Sequence, residues 1–155
     1  MTPQSALDIV AYFEGFHRAV YVSQALMAVP YICPAGFWTI GYGHLCDKEH
    51  PAITKEQAMA YLESDMAKAT AATIRHCPIL LGEPEYRLAA IASFTFNLGA
   101  GRLQASTLRR RINHGEWEEA GMELLKWVNG GGKRLPGLVV RREVERLLFL
   151  TGKWT

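Results

Sequence analysis

Between Tyr31 and His44 the chain reads Tyr-Ile-Cys-Pro-Ala-Gly-Phe-Trp-Thr-Ile-Gly-Tyr-Gly-His. Aromatic and β-branched residues, punctuated by Gly36, Gly41 and Gly43, predict short strands joined by tight turns. Almost everything on either side reads as helix, so the segment confines the chain to an α+β fold that is mainly α.

The helical signals are local. Thr2-Pro3 reads as an N-cap followed by a first helical residue, and Leu7, Val10, Ala11 and Phe13 give an apolar face ending near Glu14-Gly15. Thr54-Lys55-Glu56-Gln57 is a capping box that opens an alanine-rich helix to about Arg75. Pro78 and Gly82 break the chain. A strongly apolar helix then covers about 84 to 98 and stops at Gly99. A basic turn lies at Thr107 to Ile112, a helix at Glu116 to Val128, a flexible break at Gly130-Gly131-Gly132 and a last helix at Pro136 to Leu150. At 155 residues this is one domain. It divides into a small lobe of about 15–55, a linking helix of about 55–76, and a helical lobe of about 78–155 joined by the N-terminal helix. Two lobes joined by one helix predict a cleft between them.

The formal charge of +2 suits an anionic surface and falls short of a nucleic-acid footprint. Arg109-Arg110-Arg111 reads as a solvated helix face. Three cysteines, Cys33, Cys46 and Cys77, make no paired framework and point to synthesis in a reducing compartment. No signal peptide and no membrane anchor are expected from the sequence. Cys46, His50, His76 and Cys77 are ligand types at spacings that match no standard zinc pattern, so neither metal nor cofactor is expected.

Three residues carry chemistry in a spaced pattern. Glu14 ends the first helix, Cys33 lies in the glycine-punctuated segment, and Thr39 follows it after five residues. The layout resembles the phage-type lysozymes, the bacteriophage endolysins of glycoside hydrolase family 24. Their pattern is a glutamate, eight residues, an aspartate or cysteine, five residues, and a threonine. Further matches run down the chain: Phe94-Thr95-Phe96-Asn97-Leu98-Gly99, Ser106-Thr107-Leu108 with Asn113 and Gly115, Trp127, Pro136-Gly137-Leu138, and Arg141-Arg142-Glu143-Val144-Glu145.

The resemblance implies a two-lobed lysozyme-like fold with a small β-hairpin lobe. It also implies an N-acetylmuramidase that cuts the β-1,4 bond between N-acetylmuramic acid and N-acetylglucosamine in peptidoglycan. Glu14 would be the general acid, kept protonated by the apolar neighbours Tyr12 and Phe13. Cys33 and Thr39 would handle the water, Leu45 and Phe96 would touch sugar, and His44 would pair with Asp65 as a structural ion pair. A monomer that reaches the wall through a holin is the accompanying expectation. A binding or scaffold protein that has lost catalysis is the alternative.

One interval departs from the pattern. Glu14 and Cys33 enclose eighteen residues, ten more than the family's eight, and Gln24 occupies the spacing at which the family has its acid. Residues 14–23 align weakly with 24–33, with Tyr21 over Tyr31, which suggests a duplication. If the excess forms a surface loop, Glu14 keeps its place at the helix end. If residues 22–33 take the usual path, Gln24 stands at the acid's place. The helix-end sequence Glu14-Gly15-Phe16 favours Glu14, and loop closure makes ten extra residues inexpensive at a surface.

Overall fold

The computed structural model describes residues 2–16, 18–22 and 24–154. Helix α1 is Gln4–Glu14, with Pro3 at its N-cap and no side-chain cap, so the helix begins one residue later than the Thr2-Pro3 signal suggests. Its buried face is Ala6, Ile9 and Val10, while Leu7, Ala11 and Phe13 pack at the edge of the core. The face is thus rotated from the expected one, because Ala6 and Ile9 face the central helix.

The ten-residue excess is a β-hairpin. Strands β1 (Ala19–Val22) and β2 (Ala25–Ala28) pair antiparallel, with Val22 opposite Ala25. Gln24 has φ 70°, the left-handed backbone that tight hairpin turns demand. The two halves of the internal alignment do not repeat in structure: Leu26 lies in β2, whereas Phe16 lies in no strand. His17 and Ser23 of that alignment lie outside the described residues.

The glycine-punctuated segment folds as expected, into β3 (Tyr31–Ile32), β4 (Trp38–Ile40) and β5 (His44–Leu45), an antiparallel sheet in chain order. Tyr31 lies opposite Thr39, and Thr39 opposite Leu45. Strand β6 (Ile53–Thr54) pairs with β2 and ends in the capping box. There Thr54 Oγ1 accepts from Gln57 N at 3.1 Å, and Gln57 Oε1 accepts from Thr54 N at 2.9 Å. These bonds open α2 (Lys55–His76).

A short 3-10 turn at Pro78–Gly82 leads into α3 (Glu85–Leu98), which is stopped by Gly99. All eight residues from Leu88 to Thr95 are buried, as befits a helix apolar all round and surrounded by others. Helices α1, α2, α4 (Ala100–Gln104) and α7 (Pro136–Thr151) pack against it, while α5 (Thr107–Asn113) and α6 (Trp117–Leu124) pack on each other and α6 on α7. Leu62, Met66, Ile91, Phe94, Leu103, Leu108 and Phe149 fill one continuous core, each apolar side chain contributing about 1.5–3 kcal/mol by leaving water.

Three local expectations are corrected. Helix α6 stops at Leu124, four residues before Val128. The three glycines form a tight hairpin, β7 (Asn129–Gly130) with β8 (Lys133–Arg134), turned by Gly131 and Gly132 at φ 58° and 78°. The arginine triplet is not simply a solvated face: Arg109 Nε donates to His76 O at 2.9 Å and so caps α2, and Arg111 pairs with Glu116.

Candidate active site

Glu14 is the last residue of α1, and Gly15 closes the helix by donating its N–H to Ala11 O at 2.9 Å. The carboxylate is oriented from two sides. Arg141 Nη1, from α7, donates to Glu14 Oε1 at 2.9 Å. On the other side lies Gly43, at φ 81°, where an added Cβ would sit 2.9 Å from Glu14 Oε2. Glycine at 43 is therefore a requirement of close approach as well as of backbone angle. The expected apolar pocket around the acid is replaced by an ion pair, with the Phe13 ring 5.5 Å beneath the Arg141 guanidinium.

Gly43 also lines a cleft of about 470 Å³, together with His44, Leu45, Asp65, Lys68, Thr95, Phe96 and others. The cleft thus brings Leu45 and Phe96 together, with Leu45 65% exposed. His44 Nδ1 lies 2.8 Å from Asp65 Oδ2, and the His44 ring stacks on Tyr61 with centroids 4.2 Å apart. Those contacts fasten β5 to α2 and hold the cleft wall.

Cys33 occupies a tight turn in which its N–H donates to Phe37 O at 2.9 Å and its carbonyl accepts from Gly36 N at 2.8 Å. Burial works against the thiolate, but hydrogen bonds from the Phe37 amide, the Thr39 hydroxyl and the Ala35 and Gly36 amides outweigh it and hold the thiol below its ordinary pKa. The turn is a small anion nest. The cause is the convergence of amides and not a neighbouring charge. Thr39 Oγ1 donates to Phe37 O at 3.0 Å. A hydroxyl has one proton, so serving a Cys33 thiolate requires it to turn away from that carbonyl.

Burial raises the Tyr31 phenol pKa, and the charges of Glu14 and then Cys33 raise it further. The ligand-type residues do not converge. Cys77 is buried in the core, and His50 Nδ1 bonds Pro51 O at 2.7 Å. Among the described residues no three His, Cys, Asp or Glu side chains are placed to hold a metal, and no helix is long and apolar enough to cross a membrane.

Residues 12–145 match the sequence profile of the Phage lysozyme family. The chain belongs to the phage lysozyme family. This membership makes it a lysozyme-class glycoside hydrolase, as the Glu-Cys-Thr motif implied, and the two-lobed, mainly helical fold is the one expected. The chain is 36% identical over 152 residues to the endolysin of Bacillus phage B103, covering 97% of itself and 54% of that protein, so it spans about half of that relative's length. It is 39% identical over 151 residues to the endolysin of Acyrthosiphon pisum secondary endosymbiont phage 1, covering 94% of itself and 95% of that protein. Its structure superposes on the muramidase domain of SpmX from Asticaccaulis excentricus with TM-score 0.79 and 28% identity, covering 97% of this chain and 98% of that one. These phage lysozyme relatives favour the enzyme over the binding or scaffold alternative.

Sequence reasoning did not connect Arg141, Glu145, Ser93 or Tyr31 with the surroundings of Glu14. A signal for two of them was present. Leu138, Arg141, Arg142, Glu145, Leu148 and Phe149 recur at helical spacing on α7, so three charged residues stand on its apolar stripe. Arg141, Arg142 and Glu145 are all buried.

Proposed function

We propose that the protein is an endolysin that hydrolyses the β-1,4 bond between N-acetylmuramic acid and N-acetylglucosamine, with Glu14 as general acid. The observation that carries this reading is the posture of Glu14: Oε1 bound to Arg141 and Oε2 turned to Gly43 at the cleft. A proton on Oε2 passes to the glycosidic oxygen as the bond to C1 breaks. The carboxylate left behind is stabilised by the Arg141 guanidinium.

Water attacks C1 from the other face, oriented by the Thr39 hydroxyl and the Cys33 sulfur. A thiolate in the nest accepts the proton that water releases. Attack opposite the leaving group inverts the anomeric carbon. Leu45 and Phe96 contact the sugars, and the His44–Asp65 pair holds the cleft wall. Access to the wall through a holin, action as a monomer and a route from the host cytoplasm rest on the family resemblance.

The test compares Glu14→Gln with Gln24→Glu in turbidity assays on outer-membrane-permeabilised Gram-negative cells. Glu14→Gln should lose about 10²–10⁴ in rate, the range of general-acid catalysis. Gln24→Glu should change nothing, since Gln24 turns the hairpin. Full activity in Glu14→Gln would remove Glu14 from the acid role. Mass spectrometry of the products should give reducing ends; 1,6-anhydro ends would replace hydrolysis by transglycosylation.

A further inference from the structure

Behind Glu14 lies a buried ionic cluster that the proposed chemistry does not use directly. Arg141 Nε faces Glu145 Oε2 at 3.4 Å, and Ser93 Oγ donates to that same oxygen at 2.6 Å. Arg141 Nη2 reaches Ser93 O and Ser93 Oγ, both at 3.4 Å. Arg142 Nε stands 3.2 Å from Glu145 Oε1, an ion pair whose geometry falls short of a hydrogen bond. A hydrogen bond ties Arg142 Nη2 to Asn97 Oδ1, and the Phe94 ring lies 5.2 Å from its guanidinium carbon. Burial pushes the Arg142 pKa down, Glu145 opposes that, and Arg141 adds to it.

Such a cluster is a poor device for stability. Desolvating three charges costs about as much as their mutual attraction returns, and apolar residues of equal volume serve as well or better. Its value must lie in where it holds its members. Glu145 and Arg142 are 0% exposed and Arg141 is 5% exposed. The cluster's outlet is Arg141 Nη1, bonded to Glu14, which is 21% exposed beside the cleft.

A guanidinium is a rigid plane, so fixing two of its nitrogens fixes the direction of the third. We propose that Ser93 and Glu145 are positioning residues for the Glu14 proton transfer: they grip the Nε and Nη2 edge of Arg141 so that Nη1 meets Glu14 Oε1 and leaves Oε2 for the substrate. The proposal rests on the reading of Glu14 as general acid. Ser93 has a double part, its hydroxyl orienting the Glu145 carboxylate and its carbonyl accepting from Arg141. Neither residue touches substrate. Both act through Arg141, and the effect falls on the chemical step and leaves binding unchanged.

The test measures kcat and KM separately on soluble peptidoglycan fragments for Ser93→Ala, Ser93→Thr, Arg141→Gln and the Ser93→Ala/Arg141→Gln pair, with Glu14→Gln as reference. Ser93→Ala should lower kcat about five- to tenfold, the scale of a small misplacement of a catalytic group, with KM within about twofold. Ser93→Thr, which keeps the hydroxyl, should recover most of the loss. In the Arg141→Gln background Ser93→Ala should cost nothing further. If Ser93→Ala fails to fold, Ser93→Cys of nearly equal volume replaces it. The Arg141 Nε–Hε NMR signal then gives a second readout: slowly exchanging in the wild type, averaged in the variant. An unchanged kcat in a folded Ser93 variant, with Glu14→Gln inactive, would overturn the positioning role and leave the acid assignment intact. Full activity in Glu14→Gln would instead sink the acid assignment itself.

Discussion

Arg141 and Glu14 are 127 residues apart in sequence, and Arg141 Nη1 donates to Glu14 Oε1 at 2.9 Å. The pair joins the last helix to the end of the first and anchors the Glu14 carboxylate. Removing Arg141 also strips Glu145 of one of its two cationic partners. Arg141→Met should therefore destabilise the fold by about 3–5 kcal/mol, the range for a broken buried pair. Arg141→Lys should fold better and still lose activity, because an ammonium cannot span Glu14, Glu145 and Ser93 as a planar fork does. Thermal melts and turbidity rates on the two variants separate these effects.

Gly43→Ala places a methyl 2.9 Å from Glu14 Oε2 at a backbone angle of φ 81°. Strain at such a position costs about 1–3 kcal/mol, and the carboxylate must shift to admit the methyl group. The expected outcome is a lower melting temperature with a disproportionate loss of rate. Wild-type rate per folded molecule would show that Glu14 tolerates displacement.

Gln24 turns the inserted hairpin with φ 70°, a conformation costing a residue with a Cβ about 1–2 kcal/mol. Gln24→Gly should stabilise the fold by about 0.5–1 kcal/mol, the glycine's relief reduced by its larger entropy in the unfolded chain. Chemical denaturation measures it, and activity should stay unchanged.

The amides around Cys33 hold its thiol pKa below the ordinary value, whereas burial pushes that of Cys46 up. Iodoacetamide should therefore alkylate Cys33 with a lower pH midpoint than Cys46, and Thr39→Val should move the Cys33 midpoint upward. Because the folded-state pKa is depressed, the Cys33 contribution to stability is present above the ordinary thiol pKa and is lost as pH falls through the folded value. Mapping the modified cysteine by mass spectrometry across pH checks the order.

Burial raises the Cys77 thiol pKa to about 11. A raised thiol behaves in the opposite sense: its stabilisation is complete below the ordinary pKa and drains away as pH rises through about 11, since the unfolded chain ionises first. Melting temperature should fall over this alkaline window more steeply in the wild type than in Cys77→Ala. Parallel slopes would show that the thiol is solvated in the folded state.

The elements legible in the sequence were those with local causes. The capping box at Thr54 and Gln57, the stop at Gly99 and the strands of Tyr31–His44 depend on residues a few positions apart, and each lies where its signal puts it. The arginine triplet and the triple glycine were misread, because their partners, His76 for Arg109 and the strand pairing of Asn129 with Arg134, come from folded geometry. The Arg141 and Glu145 pair was visible as charge on an apolar stripe, though the stripe alone names no partner.

The sequence by itself determined the family, since spacing from Cys33 to His44 and helix-end signals survive without knowledge of the fold. Only the tertiary structure decided that Glu14, and not Gln24, is the residue anchored beside Gly43. The inserted strands β1 and β2 pair with each other, and β2 pairs on with β6, so the insertion leaves α1 in place. A buried arginine needs a carboxylate within reach, and the packing of α1 and α7 against α3 puts Glu14 there.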